Sequence, residues 1–278
     1  QNLVLVETRN LVGASVSRLL PTETRVEFGG YHANYWYVGD IWSTLPETRD
    51  LAYVSLTSER ETTRFKPFVH YRIYKNTYQH NLQDHWDQEA NVGIQGPVTE
   101  NLYFHGQAGY FMPGEEGGGH LFCHVRLRHS PNPLTYQELG YVRSTTEPDR
   151  ELHETWYYRL RHTFRPDLFG DLWASRSVFD SLGRSSVRTG EEDRVGLHFT
   201  YNPSQRTTLA AGGAYTRITY EDPAFIGSEN WIAYAQIGRE LGKSFSAWLS
   251  YNYRERNAST PGNSYYENLV ILTLARSL

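Results

Sequence analysis

The chain lacks several features that common protein classes depend on. Its 278 residues include one cysteine, Cys123, and one methionine. A lone cysteine excludes an intramolecular disulfide, and the residues that fill helical cores are scarce. No run approaches the 18 or so apolar residues of a membrane-spanning helix, and the mean hydropathy is -0.60. No signal peptide is visible at the N-terminus, so we expect a mature form or the C-terminal part of a longer chain.

Motifs that mark enzymes and cofactor sites are also missing from the sequence. It contains no phosphate-binding loop, no paired-cysteine metal site and no haem-attachment motif. No serine lies in a recognisable nucleophile context. The basic residues alternate along segments instead of forming a surface patch, which argues against nucleic-acid binding. We therefore expect no catalytic residues, no metal and no cofactor, and we predict that the chain is not an enzyme.

Aromatic residues and period-2 alternation are abundant. The chain has 21 Tyr, 12 Phe and 7 Trp, a composition that favours β-structure. The clearest alternation is "HLFCHVRLRH" at 120–129, where every second residue from Leu121 to Leu127 is apolar or Cys123, and the residues between include His124 and Arg126. Such segments reach ten or more residues, which is longer than the strands of ordinary sheets. A transmembrane β-barrel needs strands of this length.

Two kinds of junction alternate along the chain. Short turn signals such as "LLPTET", "SERETT" and "SPNPL" recur at intervals of roughly 33 to 40 residues, and longer polar connections such as "GRSSVRTGEED" lie between them. Short turns at one rim and long loops at the other are typical of outer-membrane barrels. The sequence predicts an all-β, transmembrane, antiparallel up-and-down barrel in the bacterial outer membrane.

Counting the segments gives about fifteen strands, whereas bacterial single-chain barrels have an even number. We predict about 16 strands, with 14 as the second choice, because the first twenty residues could contain two strands or an upstream strand could complete the set. Residues 1–278 are expected to form a single barrel domain. Pro67 is a local misfit, best explained by a bulge or a strand end.

The C-terminal segment "YYENLVILTLARSL" carries a family resemblance. Tyr266, Val270, Leu272, Leu274 and Leu278 alternate as in the last strand of outer-membrane barrels, although Leu278 stands where an aromatic residue is usual. The final hairpin, over roughly the last 90 residues, resembles the beta-barrel porins of Gram-negative bacteria. Some of these are C-terminal barrels behind tetratricopeptide repeats in exopolysaccharide export. The resemblance implies an outer-membrane pore that contacts lipid.

The basic residues are sorted onto the polar sides of the predicted strands, whereas most acids fall in the long connections. This pattern predicts a basic lumen beneath an acidic rim, and basic pores favour anions. The predicted pore-lining basic residues are Lys66, His70, Arg72, His105, His124, Arg126, Arg128, Arg159, Arg161, Arg194, His198, Arg254 and Arg256. Tyr74, Tyr157 and Trp248 are the predicted stacking surfaces for sugar rings.

Three hypotheses for function follow. The first is a channel or porin, in the sharper form an export pore for an anionic solute or polysaccharide. The second is a plugged structural anchor that holds periplasmic or surface protein partners. The third is a barrel enzyme that uses the acidic rim, where the loop "HNLQDHWDQE" contains His80, Asp84, His85, Asp87 and Glu89. A loop of this composition is more often merely solvated, so the channel is preferred.

Overall fold

The fold is a single antiparallel sheet in a computed structural model that describes residues 6–38, 46–78, 84–114, 119–146, 151–181, 189–222, 225–242, 245–259 and 262–276. Within these residues, fifteen strands pair in chain order, which confirms the predicted up-and-down topology, and residues 6–19 form one strand. Among these residues, no helix is long and apolar enough to cross a membrane. The strands are β1 (Val6–Leu19), β2 (Thr24–Val38), β3 (Pro46–Ser58), β4 (Lys66–Tyr78), β5 (His85–Thr99), β6 (Leu102–Met112), β7 (His120–Asn132), β8 (Thr135–Thr146), β9 (Glu151–Arg165), β10 (Leu168–Ser181), β11 (Gly190–Ser204), β12 (Thr207–Tyr220), β13 (Ser228–Glu240), β14 (Phe245–Ala258) and β15 (Tyr265–Arg276).

The chain groups into two compact units. Unit 1 comprises Gln1–Val125 and Val142–Arg150, and unit 2 comprises Arg126–Tyr141 and Glu151–Leu278. Pro67 is the second residue of β4, which agrees with the predicted strand end, since proline at a strand's beginning removes no inner ladder bond.

The sheet of unit 2 has an apolar face and a polar face, and their exposure is the reverse of a soluble protein's. On β14, Phe245, Leu249 and Tyr251 lie on the apolar face and are exposed. Leu274, opposite Ala247 on the same face, is 67% exposed, whereas Asp171 on the polar face is only 8% exposed. A large exposed apolar surface marks contact with a membrane or a partner, and alternation of this kind is the signature of a strand that crosses lipid.

Unit 1 shows the same reversal. Val12 and Val16 of β1 are largely exposed on the apolar face, and Leu56 and Val69 of β3 and β4 are exposed as well. Its buried side chains are mostly polar, and Asn76, Asp87 and Glu89 are among them. The register places these polar side chains on the face opposite the exposed valines and leucines.

The predicted short turns are present, and two of them are tied together. In the first, the Glu23 amide donates to the Leu20 carbonyl over 3.0 Å, and Glu23 adopts a φ of 56°. The Glu59 amide of the next turn donates to the Glu23 carbonyl over 2.7 Å, while the Arg25 guanidinium contacts the Glu59 carboxylate at 2.5 Å. The hydrogen bond from Arg25 is the main reason that the pKa of Glu59 lies below its usual value.

Candidate functional site

The predicted basic residues all lie on the polar faces of their strands, as register and alternation show. In unit 1 they are on β4, β6 and the first half of β7, and in unit 2 they are on the rest of β7 and on β9, β11 and β14. That they line a pore stays a prediction. What the sequence did not predict is the set of carboxylates that the strands place between them.

Glu138 of β8 is the first such carboxylate in unit 2. It accepts a hydrogen bond of 2.9 Å from Arg128 Nε, and Arg126 Nε lies 4.0 Å from the same oxygen. The Tyr136 hydroxyl also donates to Glu138, so one carboxylate is held between two arginines and a tyrosine. Because two guanidiniums face one carboxylate, the group retains a positive charge.

Asp171 of β10 repeats this arrangement. Its two carboxylate oxygens accept from Arg161 at 2.9 Å and 3.1 Å, and Arg159 donates to the first of them at 3.3 Å. A two-point contact between a guanidinium and a carboxylate is among the strongest geometries for an ion pair. The second group, like the first, contains two arginines and one acid.

A row of polar side chains continues across the next strands from Asp171. The register places His198 of β11 opposite Asp171 and opposite Gly212 of β12. Because Gly212 has no side chain, Tyr234 of β13 reaches over β12 and hydrogen-bonds to His198 Nδ1. His198 Nε2 contacts the Thr200 hydroxyl at 2.7 Å. Both ring nitrogens of His198 therefore have a hydrogen-bond partner within this row.

In unit 1 the equivalent pair is Arg72 of β4 and Glu89 of β5. Arg72 Nη2 donates to Glu89 Oε2 over 2.5 Å, and Asn91 Nδ2 donates to Glu89 Oε1 over 3.3 Å. Nearby, the Tyr53 hydroxyl donates to Glu27 over 2.5 Å. Glu27 and Glu89 thus each have a fixed partner.

The prediction of a polar face almost without acids is wrong, since the strands themselves supply carboxylates. Several acids assigned to long connections lie on β5 and β11: Asp87, Glu89 and Glu192 are on the polar face, and Glu191 and Asp193 are in the phase of the apolar face. The pairs are asymmetric in exposure. The side chains of Glu89, Glu138 and Asp171 are 8 to 13% exposed, while those of Arg72, Arg128 and Arg161 are 40 to 50% exposed. The acids are shielded, and the guanidiniums remain accessible.

Two adjoining cavities lie on the polar face of unit 1, with volumes of about 470 Å³ and 630 Å³. Both are lined by Tyr31, Leu51, Arg72, Glu89 and Gln107. Ligand cavities commonly measure roughly 300 to 1,000 Å³ and combine apolar surface with a few placed polar groups. The Arg72–Glu89 pair lies where the two cavities meet, so a molecule that extends through both would contact it.

The predicted histidine His105 lies within a column of rings in unit 1. Its ring stacks on Phe68 at 5.5 Å between centroids, and Phe68 contacts His70 at 5.0 Å. On the other side, the His105 and His124 rings are 5.5 Å apart. Despite these histidines, no three His, Cys, Asp or Glu side chains in the described ranges are placed to hold a metal ion.

The three predicted stacking aromatics are partly covered by protein. Arg49 lies over the Tyr74 ring at 5.2 Å from its centroid, and Phe111 stacks beside it. The rings of Tyr157 and Trp248 lie over Gly140 and Gly238 of the neighbouring strands, at positions that a Cβ atom would occupy. Aromatic rings that cover strand glycines pin the register of a sheet. Tyr157 and Trp248 therefore have a structural role here.

Gly238→Val should lower the free energy of unfolding by about 1–3 kcal/mol, as overpacking does. A Cβ at this position would lie 2.3 Å from atoms of the Trp248 ring, so the ring must leave its place. Urea unfolding in lipid vesicles, followed by tryptophan fluorescence, would measure the change. Ser250→Val, on the same face of β14, is the control, and an equal effect of both substitutions would contradict the role of Gly238.

The polar segment that suggested a catalytic loop contains the beginning of β5 and a buried cluster. Asp87 is 1% exposed; its carboxylate accepts from Asn76 Nδ2 at 2.7 Å and from the Gly114 amide at 3.0 Å. His85 Nε2 lies 3.2 Å from Asp87, and Arg49 donates to Asn76 at 2.7 Å. The His85 and Asp87 pair is real but closed to a substrate by its burial. His80 and the predicted rim acids Glu115, Glu116, Glu147 and Asp149 lie outside the described residues.

Comparison with known proteins gives similarity of fold only. No family model matches the chain, and no curated protein sequence matches it. Among solved structures, that of the FpvAI–pyocin S2 complex matches with a TM-score of 0.51 at 9% identity, over 97% of this chain and 57% of the other. OmpT of Vibrio cholerae, an outer membrane protein, matches in its in-vitro folded form with a TM-score of 0.47 at 9% identity, over 98% and 97% of the two chains. Its outer-membrane expressed form matches with a TM-score of 0.46 at 12% identity, over the same shares.

The prediction that the chain is not an enzyme is wrong as an exclusion. Missing motifs alone do not exclude catalysis, because an active site is defined by the geometry and roles of its residues and not by a fixed sequence pattern. At 9 to 12% identity, the similarity transfers no activity and no catalytic residue to this chain.

The location follows from the surface and the strand lengths. The strands are 11 to 15 residues long, long enough to cross a bilayer when tilted, and their exposed face is apolar in both units. The chain is an outer-membrane protein of the β-barrel class, as the sequence predicts, and its apolar face contacts membrane lipid.

Proposed function

We propose that the chain is an outer-membrane channel for anionic solutes, with an anionic polysaccharide as its polymeric cargo. The observation that carries this proposal is the asymmetry of the ion pairs on the polar faces. Their carboxylates are shielded against the sheet, whereas Arg72, Arg128 and Arg161 expose their guanidiniums. A solute passing along this surface meets hydrogen-bond donors and positive charge.

The chemistry of the guanidinium supports this preference. Arginine has five N–H donors in a planar fork, and it suits carboxylates and phosphates. Glu138 and Asp171 each face two arginines, so pairing leaves one net positive charge in each group. Fixed charges beside a low-dielectric wall act over a longer range than in bulk water. Because acids partly compensate its arginines, the polar face should prefer anions only moderately. This preference should be weaker than that of the basic lumen predicted from the sequence.

The cavities of unit 1 support a saccharide as the repeating unit. They combine the tyrosine ring of Tyr31 with hydrogen-bonding groups from Gln107, Arg72 and Glu89. Sugar rings present both hydroxyl groups and an apolar face, and tyrosine offers a matching apolar body with a polar tip. An acidic sugar would place its carboxylate against the exposed guanidinium of Arg72.

Ion selectivity in planar bilayers tests the proposal. The full chain should form conducting pores, and its reversal potential in a KCl gradient should show anion preference. Heat-denatured protein is the control for conductance. Cation preference would contradict the proposed anionic cargo, and folded protein without conductance would contradict the channel and favour the plugged anchor.

A further inference from the structure

The apolar face of unit 2 has charged residues at both ends, and the two ends differ in sign. At the short-turn end, Arg165, Arg239 and Arg276 lie at or next to the ends of β9, β13 and β15. At the long-loop end, acids such as Glu191, Asp193 and Glu229 outnumber the arginines. Register places all of these residues in the same phase as the exposed apolar side chains.

The arginines at the long-loop end have acids opposite them on the neighbouring strands. Arg176 lies 2.5 Å from Glu191 and 3.9 Å from Asp193. Arg217 is directly opposite both Asp193 and Glu229 in the register. Exposed Trp156 and Trp231 lie next to this band, as aromatic residues do where hydrocarbon ends. This end carries a surplus of negative charge.

The arginines at the short-turn end are different, because neither Arg239 nor Arg276 has an acid opposite it in the register of the paired strands. Arg165 contacts Asp167 at 3.3 Å, but within the described part of the chain neither Arg239 nor Arg276 forms an ion pair. Both are exposed, and they flank β14. The Arg276 guanidinium lies over the Phe245 ring at 5.7 Å. Neighbouring strands are about 4.8 Å apart, so β13 with Arg239 and β15 with Arg276 are separated by about twice that distance.

We propose that Arg239 and Arg276 bind the phosphate of an anionic phospholipid in the leaflet at the short-turn end. The acyl chains of that lipid would lie along Ile237, Leu249 and Leu272, which are exposed on the same face. Long arginine side chains reach from the apolar surface to the headgroup level, and guanidinium groups bind phosphate by paired hydrogen bonds. The acidic band at the other end repels the same headgroup, so the charge difference also favours one orientation in the membrane.

Spin-labelled lipids test this binding directly. The full chain is reconstituted in phosphatidylcholine vesicles that contain a trace of spin-labelled phosphatidylglycerol or phosphatidylcholine, and electron spin resonance gives the motionally restricted fraction of each. We expect phosphatidylglycerol to associate about fivefold more strongly at low salt, as for about one surface arginine contact. Equal association of the two lipids would overturn the proposal, and the measurement needs no variant.

Variants then locate the effect. Arg239→Gln combined with Arg276→Gln should bring the two lipids close to equality, while Arg239→Lys with Arg276→Lys should retain part of the preference. The matched control is Arg176→Gln with Arg217→Gln at the long-loop end, which removes the same charge but should leave most of the preference. Circular dichroism confirms that each variant is folded. If the control pair abolished the preference and the short-turn pair did not, the assignment would be overturned.

Discussion

Asp87→Ala is expected to lower the free energy of unfolding by about 3–5 kcal/mol, because the variant loses two hydrogen bonds to a charged group at about 1.5–3 kcal/mol each. The carboxylate is fully enclosed and accepts hydrogen bonds from Asn76 and from the Gly114 amide. Its removal leaves the buried Asn76 amide and the Gly114 amide without their acceptor, and a buried unsatisfied donor is costly. Urea unfolding in vesicles, followed by the fluorescence of neighbouring Trp86, would measure the loss.

Asp84→Ala is the matched control, because Asp84 belongs to the same polar segment but lies at the surface. Its carboxylate contacts Lys75 Nζ at 3.0 Å, and both side chains are partly exposed. An exposed pair of this kind contributes about 1 kcal/mol or less. Similar losses for the two variants would show that the buried cluster has no special role. If Asp87 matters as expected, the cluster holds Gly114 against β5, beside Tyr74 and Phe111 of the first cavity.

The sequence was sufficient to predict the strands and the face on which each side chain lies. In a long strand, period-2 alternation determines which side chains share a face, because a shift of one residue would move every side chain to the other face. On β7, for example, Leu121 and Leu127 lie on one face, whereas His124 and Arg126 lie on the other. The repeated short turns also predict the up-and-down order of the strands, because a short turn can join only antiparallel neighbours.

The pairing across strands was much harder to predict. Glu138 and Asp171 stand in the correct phase in the sequence, but their partners depend on the register between strands. The same holds for Trp248 over Gly238, which sequence alone could suggest only as an exposed ring. His85 and Asp87 were assigned to a loop because β5 begins inside a polar run. Polar residues are usual in loops, and only the buried partners identify this run as a strand end.

The largest functional effect is expected from Asp171 and its two arginines, which should shift ion selectivity in opposite directions. Asp171→Asn removes one negative charge and leaves Arg159 and Arg161 in place, so anion preference should rise. Arg161→Gln removes a positive charge, while Arg159 still pairs with the buried carboxylate, so anion preference should fall. Planar-bilayer reversal potentials at low salt would measure both, because screening is then weakest.

The expected size follows from Coulomb's law. A unit charge about 8 Å from a passing ion changes its energy by about 0.5 kcal/mol in water. This alters the density of one ion about twofold and that of its counter-ion inversely, so the anion-to-cation ratio should change about fivefold. Arg176→Gln, on the apolar face and paired with Glu191, is the control and should leave the ratio unchanged. Shifts of the same sign in the Asp171 and Arg161 variants would show that this group does not face the conducting path. Opposite shifts would place its exposed guanidiniums beside the ions that the channel selects.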